Sequence, residues 1–370
     1  MSVVWSHYFS AFGFSPSLDK IMTNSPLHII WDGFAAVSIF FVLSGFVLAY
    51  KYFAPPSDSS LRQLSLRTFY IARLARIYLP FLGVLCLSAL LQRALPPVLV
   101  SHPLSTSWLQ PFWANLETVR SFFDQALLYK YAPDTTLRLI PQDWSLTIEF
   151  NISLIFPFLV LVACRSSFWI LALTLISIPI LKLPMYLFHF MLGILMAKHL
   201  PALRQKVGAL KKLTQICLFL LGLFFYTYRY SVYPYFPNLL AENRIWYVTG
   251  LASALVILVA LTSRTIQRLL RHPWLVFLGK ISYSVYLIHF AIFLSFCTRF
   301  MAFAQTAGIT DDNTLRLLGL AFLTLSTLVF STFSYYFLEV PCIQLGRRLS
   351  GVSFTLADSI WRRLSATAPD

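Results

Sequence analysis

The stretch IIWDGFAAVSIFFVLSGFVLAY, residues 29–50, decides the fold: it carries a single charge, Asp32, near its start and no proline to interrupt it. A helix needs about 20 apolar residues to cross the ~30 Å hydrocarbon core of a bilayer, and it satisfies its backbone N–H and C=O groups internally where water is absent. Runs of this kind recur along nearly all of the 370 residues. With 58% hydrophobic and 12% charged residues, 34 phenylalanines and a mean hydropathy of +0.71, the chain cannot fold as a soluble globule. The sequence therefore predicts an all-α fold, a polytopic transmembrane helical bundle.

Apolar length places spans at about residues 1–14, 29–50, 77–95, 145–164, 168–181, 184–197, 213–230, 245–262, 274–298 and 316–338, about ten in all. The fifth and sixth are short and meet at Lys182-Leu183-Pro184, as a tight hairpin or a tilted, broken pair. The first, MSVVWSHYFSAFGF, stops before Ser15-Pro16 and makes only ~21 Å of helix, so it reads as a truncated span. Segments after the even-numbered spans hold 18 of the 29 Lys and Arg residues, and those after the odd-numbered spans hold 10. Basic connections stay in the cytoplasm, which assigns the even segments and the C-terminal tail to that side. Topology and anionic lipid account for the net charge of +15, and a basic stripe with interleaved aromatics for nucleic acid is missing. The five cysteines sit singly, without C-x-x-C spacing or a histidine at ligand spacing, which predicts neither a disulfide framework nor a metal site. The N-terminus lacks the basic region and small-residue cleavage site of a signal peptide, so insertion relies on the spans.

Few polar residues fall within the spans, and each has a bland reading beside a functional one. His7 sits in the short first span, and a titratable ring at membrane depth is costly without a partner. Arg73 and Arg76, in FYIARLARIYLPF, are three apart and project from one helical face; they suit a snorkelling anchor or a clamp on phosphates. Glu149, about one turn into the fourth span, suits either the structural partner of an arginine or a functional carboxylate. Asp32, Asp143 and Glu339 lie at span ends, where a solvated or capping role is expected. His189 and His289 lie in aromatic runs and read as hydrogen-bonded core residues, and Ser44-Gly45 reads as a site of close helix packing. The outer segment 96–143 carries Trp108, Phe112 and Trp113, an interfacial aromatic belt or a cover for a sugar. These residues do not by themselves separate an enzyme from a transporter of small solutes or an inactive scaffold of a glycan assembly complex.

In order along the chain, His7, the GF…FFVLSGF block from Gly33 to Phe46, the arginine pair in ARLARIYLP, WSLTIE from Trp144 to Glu149, GKISYSVYLIH from Gly279 to His289 and YYFLEVP from Tyr335 to Pro341 resemble the integral membrane acyltransferase family 3. The resemblance implies a membrane-embedded acyltransferase domain over residues 1–345, followed by a short basic tail at 346–370. It implies transfer of an acyl group, usually acetyl, from cytoplasmic acyl-CoA to a hydroxyl of a carbohydrate or lipid-linked glycan at the cell envelope, with no permanently bound cofactor. His7 matches the essential histidine, Arg73 and Arg76 the donor-linked arginines, and Glu149 the acid of the W-S-L motif. Ser44, Gly45, Trp144, Ser145, Tyr283, His289 and Glu339 belong to supporting motifs. By this resemblance His7 is the general base, oriented by a carboxylate such as Glu149, or a covalent acyl carrier. A multi-pass location in the bacterial inner (plasma) membrane and partners in envelope polysaccharide assembly are expected. Two departures stand out: six residues precede His7 where family members carry a basic residue about ten positions upstream, and Ser38 replaces a common acidic residue.

Overall fold

The computed structural model describes residues 1–53, 66–98, 105–115, 118–128, 138–180, 184–240 and 244–350. These residues form helices and connections, with no strand among them. Apart from single turns at Pro26–Ile30 and Tyr228–Ser231, the helices in chain order are α1 (Ser2–Phe12), α2 (Pro16–Asn24), α3 (Gly33–Phe53), α4 (Leu66–Ala94), α5 (Val119–Ala126), α6 (Asp143–Arg165), α7 (Ser167–Ile180), α8 (Tyr186–Gly208), α9 (Lys212–Tyr226), α10 (Ile245–Thr262), α11 (Arg264–Leu270), α12 (Pro273–Thr306) and α13 (Asp312–Ser350). Seven of them, α3, α4, α6, α8, α10, α12 and α13, are long and apolar enough to cross a membrane. The other three predicted spans correspond to the shorter helices α1, α7 and α9. The proposed turn at Lys182-Leu183 and the tail beyond Ser350 lie outside the described residues.

The chain divides into two compact units. The first comprises Met1–Gly33, Ala72–Asn151 and Leu278–Gly346; the second comprises Phe34–Ile71, Ile152–Phe277 and the residues from Arg347. In the second unit, α8 packs on α7 and α10, and α10 packs on α9. Gly45 of α3 and Gly193 of α8 mark a crossing so close that a Cβ on Gly45 would meet the Phe190 backbone, and one on Gly193 would meet the Val42 and Phe46 backbones. Small residues permit such an approach, which is the packing role expected of Ser44-Gly45.

In the first unit, α1 is eleven residues long and is anchored from outside itself. The last four carbonyls of a helix have no partner within it. Here each is satisfied: Phe9 O accepts from Gly13 N (2.9 Å), Ser10 O from Thr106 Oγ1 (2.6 Å), Ala11 O from Thr106 N (2.7 Å) and Phe12 O from Arg316 Nε (3.0 Å). Gly13 closes the helix at φ 64°, a positive φ that glycine adopts without strain. Trp5 Nε1 donates to Thr324 Oγ1 and Tyr8 Oη to Arg316 O, joining α1 to α13.

Three long helices of this unit contain a π turn: Leu74–Tyr78 in α4, Phe293–Cys297 in α12 and Tyr335–Glu339 in α13. Two share a sequence feature: Pro80 and Pro341 each stand two residues after the π turn, and proline has no N–H to donate to the preceding turn. Tyr283 Oη donates to Ile77 O at 2.6 Å, within the first of these widened turns.

Candidate active site

His7, midway along α1, is half-buried, and its Nδ1 lies 3.0 Å from His289 Nε2 of α12. The protons on this pair follow from the surrounding acceptors. His289 Nδ1 lies 2.8 Å from Tyr286 O and 3.1 Å from Val285 O, and carbonyls only accept, so Nδ1 carries the hydrogen. His289 Nε2 is then an acceptor, His7 Nδ1–H donates to it, and His7 Nε2 keeps its lone pair. That nitrogen has no hydrogen-bond partner among the described residues.

Aromatic rings enclose His7. Trp108 stacks on it with centroids 5.7 Å apart and planes 30° apart, and Phe290 meets it edge-on at 5.0 Å. Phe112 touches both, at 4.8 Å from Trp108 and 5.0 Å from Phe290. Thr106, which caps α1, stands two residues before Trp108, so the hydrogen bonds that end the helix also set the indole over its imidazole.

The N-terminus of α6 fixes α12 one turn below His289. Gln142 Nε2 donates to Tyr286 O and Leu287 O, both at 3.0 Å. Tyr286 Oη donates to Gln142 O at 2.7 Å, so Ser145 Oγ must be the donor in its 2.6 Å bond to Tyr286 Oη. Asp143, next in sequence, is fully buried and clamped by Arg138 Nη1, 2.6 Å from Oδ1 and 2.5 Å from Oδ2, with Gln125 Nε2 at 2.9 Å. Of the solvated and capping roles expected at this span end, the solvated one does not hold: burial is tolerated because Arg138 neutralises the carboxylate and hydrogen bonds satisfy it. Asp32 and Glu339 are also buried rather than solvated, and Glu339 Oε2 accepts from Ser284 Oγ at 2.7 Å. Trp144 is half-buried in the first turn of α6.

Glu149 lies about one and a half turns further along α6, where Arg73 Nη2 meets Oε1 at 2.7 Å in a pair whose side chains are 12% and 5% exposed. Glu149 is expected to orient His7 only if the fold brings the two together; His289 lies at His7 Nδ1, and the Glu149 carboxylate meets the guanidinium of Arg73. The expected two-arginine clamp is also divided. A π turn rotates each residue less than an α turn, so the residues at i and i+3 diverge across Leu74–Tyr78. Arg73 is committed to Glu149, whereas Arg76 is exposed and forms no hydrogen bond or ion pair among the described residues. Tyr283 stands within electrostatic reach of Arg73, Arg76, Glu149 and Glu339 and joins this polar cluster to the same helix that carries His289.

Of the residues that build the site, Gln142 and Gln125 escaped the sequence reading. Gln142 gives a signal, an amide two residues before the WSLTIE block, but its partners are backbone carbonyls 144 and 145 residues away. Gly45, by contrast, belongs to the second unit and packs on α8.

A polytopic helical membrane protein with a histidine pair under an aromatic cover is the class that fold and site define. Residues 1–336 match the sequence profile of acyltransferase family 3, described as an acyltransferase domain, and the chain belongs to that family. Proteins of Staphylococcus aureus strains MSSA476 and MRSA252, each named "Putative O-acetyltransferase", are 25% identical to it over 381 residues, covering 89% of this chain and 57% of theirs. A similarly named protein of strain COL is 25% identical over 379 residues. The chain therefore spans little more than half the length of the curated relatives it matches. No solved structure matches it significantly. Five of the six motif blocks carrying the resemblance lie in the first unit; the block from Gly33 to Phe46 continues into the second.

Proposed function

We propose that the protein is a membrane O-acyltransferase that moves an acyl group, acetyl by the relatives' names, from acyl-CoA to a hydroxyl of a carbohydrate or lipid-linked glycan at the bacterial cell envelope, acting in the inner membrane. The observation that carries this reading is the ordered pair, in which a backbone carbonyl holds His289, His289 holds His7, and the lone pair of His7 Nε2 is left open. A base near neutral pH is what a hydroxyl needs before it can attack a thioester.

In the proposed step the acceptor hydroxyl gives its proton to His7 Nε2 as its oxygen bonds to the thioester carbonyl carbon. The tetrahedral intermediate then collapses with cleavage of the carbon–sulfur bond. The coenzyme A thiolate leaves and takes the proton from His7, so the imidazole returns to its starting form. His289 acts as a positioning residue, holding the His7 tautomer in which Nε2 is basic, as a carboxylate does in a catalytic triad. Arg76 offers an uncommitted guanidinium to a donor phosphate, and the Arg73–Glu149 pair holds the helix on which it stands. Trp108 presents an aromatic face to an acceptor sugar above His7.

Transfer of labelled acetyl from acetyl-CoA to envelope glycan in membranes tests the reading. His7→Ala is expected to lower turnover by about 10²-fold or more. His289→Ala is expected to lower kcat with little change in KM for acetyl-CoA and to be partly restored by added imidazole. His199→Ala, which alters an exposed residue bonded to Ser167, is expected to match the parent. Parent-like activity in His7→Ala would sink the assignment.

A further inference from the structure

Helix α11, Arg264–Leu270, is too short to cross a membrane and connects two helices that are long enough, α10 and α12. It is held firmly: Ile266 is buried, and Gln267 Nε2 donates to Leu261 O at 2.8 Å near the end of α10. Its two exposed faces differ in chemistry. At 100° per residue, Arg264, Arg268 and Arg271 fall within a sector of about 60°, while Leu269 and Leu270 fall on the opposite side, flanking Ile266. Leu269 is 63% exposed, and Trp274, in the first turn of α12, is 70% exposed.

Neither water nor hydrocarbon suits both faces. Water leaves two leucines and an indole solvated, whereas the membrane core desolvates three guanidiniums. Acidic protein partners do not supply the balance: Arg264 and Arg268 form no ion pair or hydrogen bond among the described residues, and Arg271 reaches only Gln267 Oε1 at 3.4 Å. No Asp or Glu occurs in the sequence between Arg244 and Thr310. The headgroup layer of an anionic bilayer satisfies both demands, with leucine and tryptophan at the acyl boundary and arginine on phosphate.

We propose that α11 and Trp274 form an interfacial site for anionic phospholipid headgroups, which Arg264, Arg268 and Arg271 hold while Leu269, Leu270 and Trp274 dip into the acyl boundary. The inference is independent of the acyl-transfer reading. The full chain in phosphatidylcholine vesicles, doped with brominated phosphatidylglycerol or brominated phosphatidylcholine, provides the test. Trp274 emission is isolated as the difference between the parent and Trp274→Phe.

Brominated phosphatidylglycerol is expected to quench Trp274 at a mole fraction about fivefold lower or less than brominated phosphatidylcholine, a preference corresponding to one interfacial arginine. The combined Arg264→Gln, Arg268→Gln and Arg271→Gln changes remove the preference, and Arg268→Gln alone reduces it. The combined Lys206→Gln, Lys211→Gln and Lys212→Gln changes, in another exposed basic segment, leave it in place. Equal quenching by the two lipids in the parent, or a preference that survives the triple arginine variant, overturns the site. Loss of the preference on addition of coenzyme A also overturns it, because the arginines would then hold a soluble phosphate ligand.

Discussion

Arg73 shows how one side chain's meaning depends on its partner. A cationic residue near the start of an apolar run is usually a snorkelling anchor, yet here its guanidinium turns inward and meets Glu149 at 2.7 Å. Removing one member of such a buried pair leaves an uncompensated charge and typically costs about 3–5 kcal/mol. Arg73→Ala is therefore expected to destabilise the protein by about 3 kcal/mol, and Arg73→Ala with Glu149→Gln is expected to recover most of that loss, as measured by denaturant unfolding in detergent. Additive losses would show that the two residues are energetically independent. The same residue-scale dependence applies to His289: its ring and aromatic setting suggest a core histidine, and only the 3.0 Å contact with His7 gives it a place in the proposed proton chemistry.

At the scale of elements, the long apolar helices were legible because bilayer crossing makes a strong demand on composition, about 20 apolar residues in succession. The π turns were not, although Pro80 and Pro341 mark two of them at the same offset. Proline predicts a disturbed helix, but the form taken depends on neighbours such as Tyr283, which takes up the Ile77 carbonyl. The packing role of Gly45 was readable from its small size within a bulky run; its reciprocity with Gly193 was not, since the two glycines lie 148 positions apart. Gly45→Ala and Gly193→Ala are each expected to lose about 1–3 kcal/mol of stability or more, because the obstructing atoms belong to backbone and cannot rotate away. Thermal unfolding of the purified variants measures this, and parent-like midpoints would contradict so close an α3–α8 crossing.

For the molecule as a whole, basic residues orient the chain, which leads to a topology test. In a cysteine-free background, Thr265→Cys in α11 is expected to react with an impermeant thiol reagent only after cells are opened. Asn313→Cys in the first turn of α13 is expected to react in intact spheroplasts. The reverse pattern would invert the orientation and place Arg76 on the side away from the proposed acyl-CoA donor.

The sequence alone determined that the chain is helical and lives in lipid, since composition and run length are properties of consecutive residues to which the solvent responds directly. It also carried the family, through motifs in fixed order. The tertiary structure decided which polar groups meet: His7 with His289 across 282 positions, Arg73 with Glu149 across 76, and Ser284 with Glu339 across 55. The physical reason is that an ionisable group inside a membrane needs a partner, but the sequence does not say which of several eligible partners the packing of helices will bring within 3 Å.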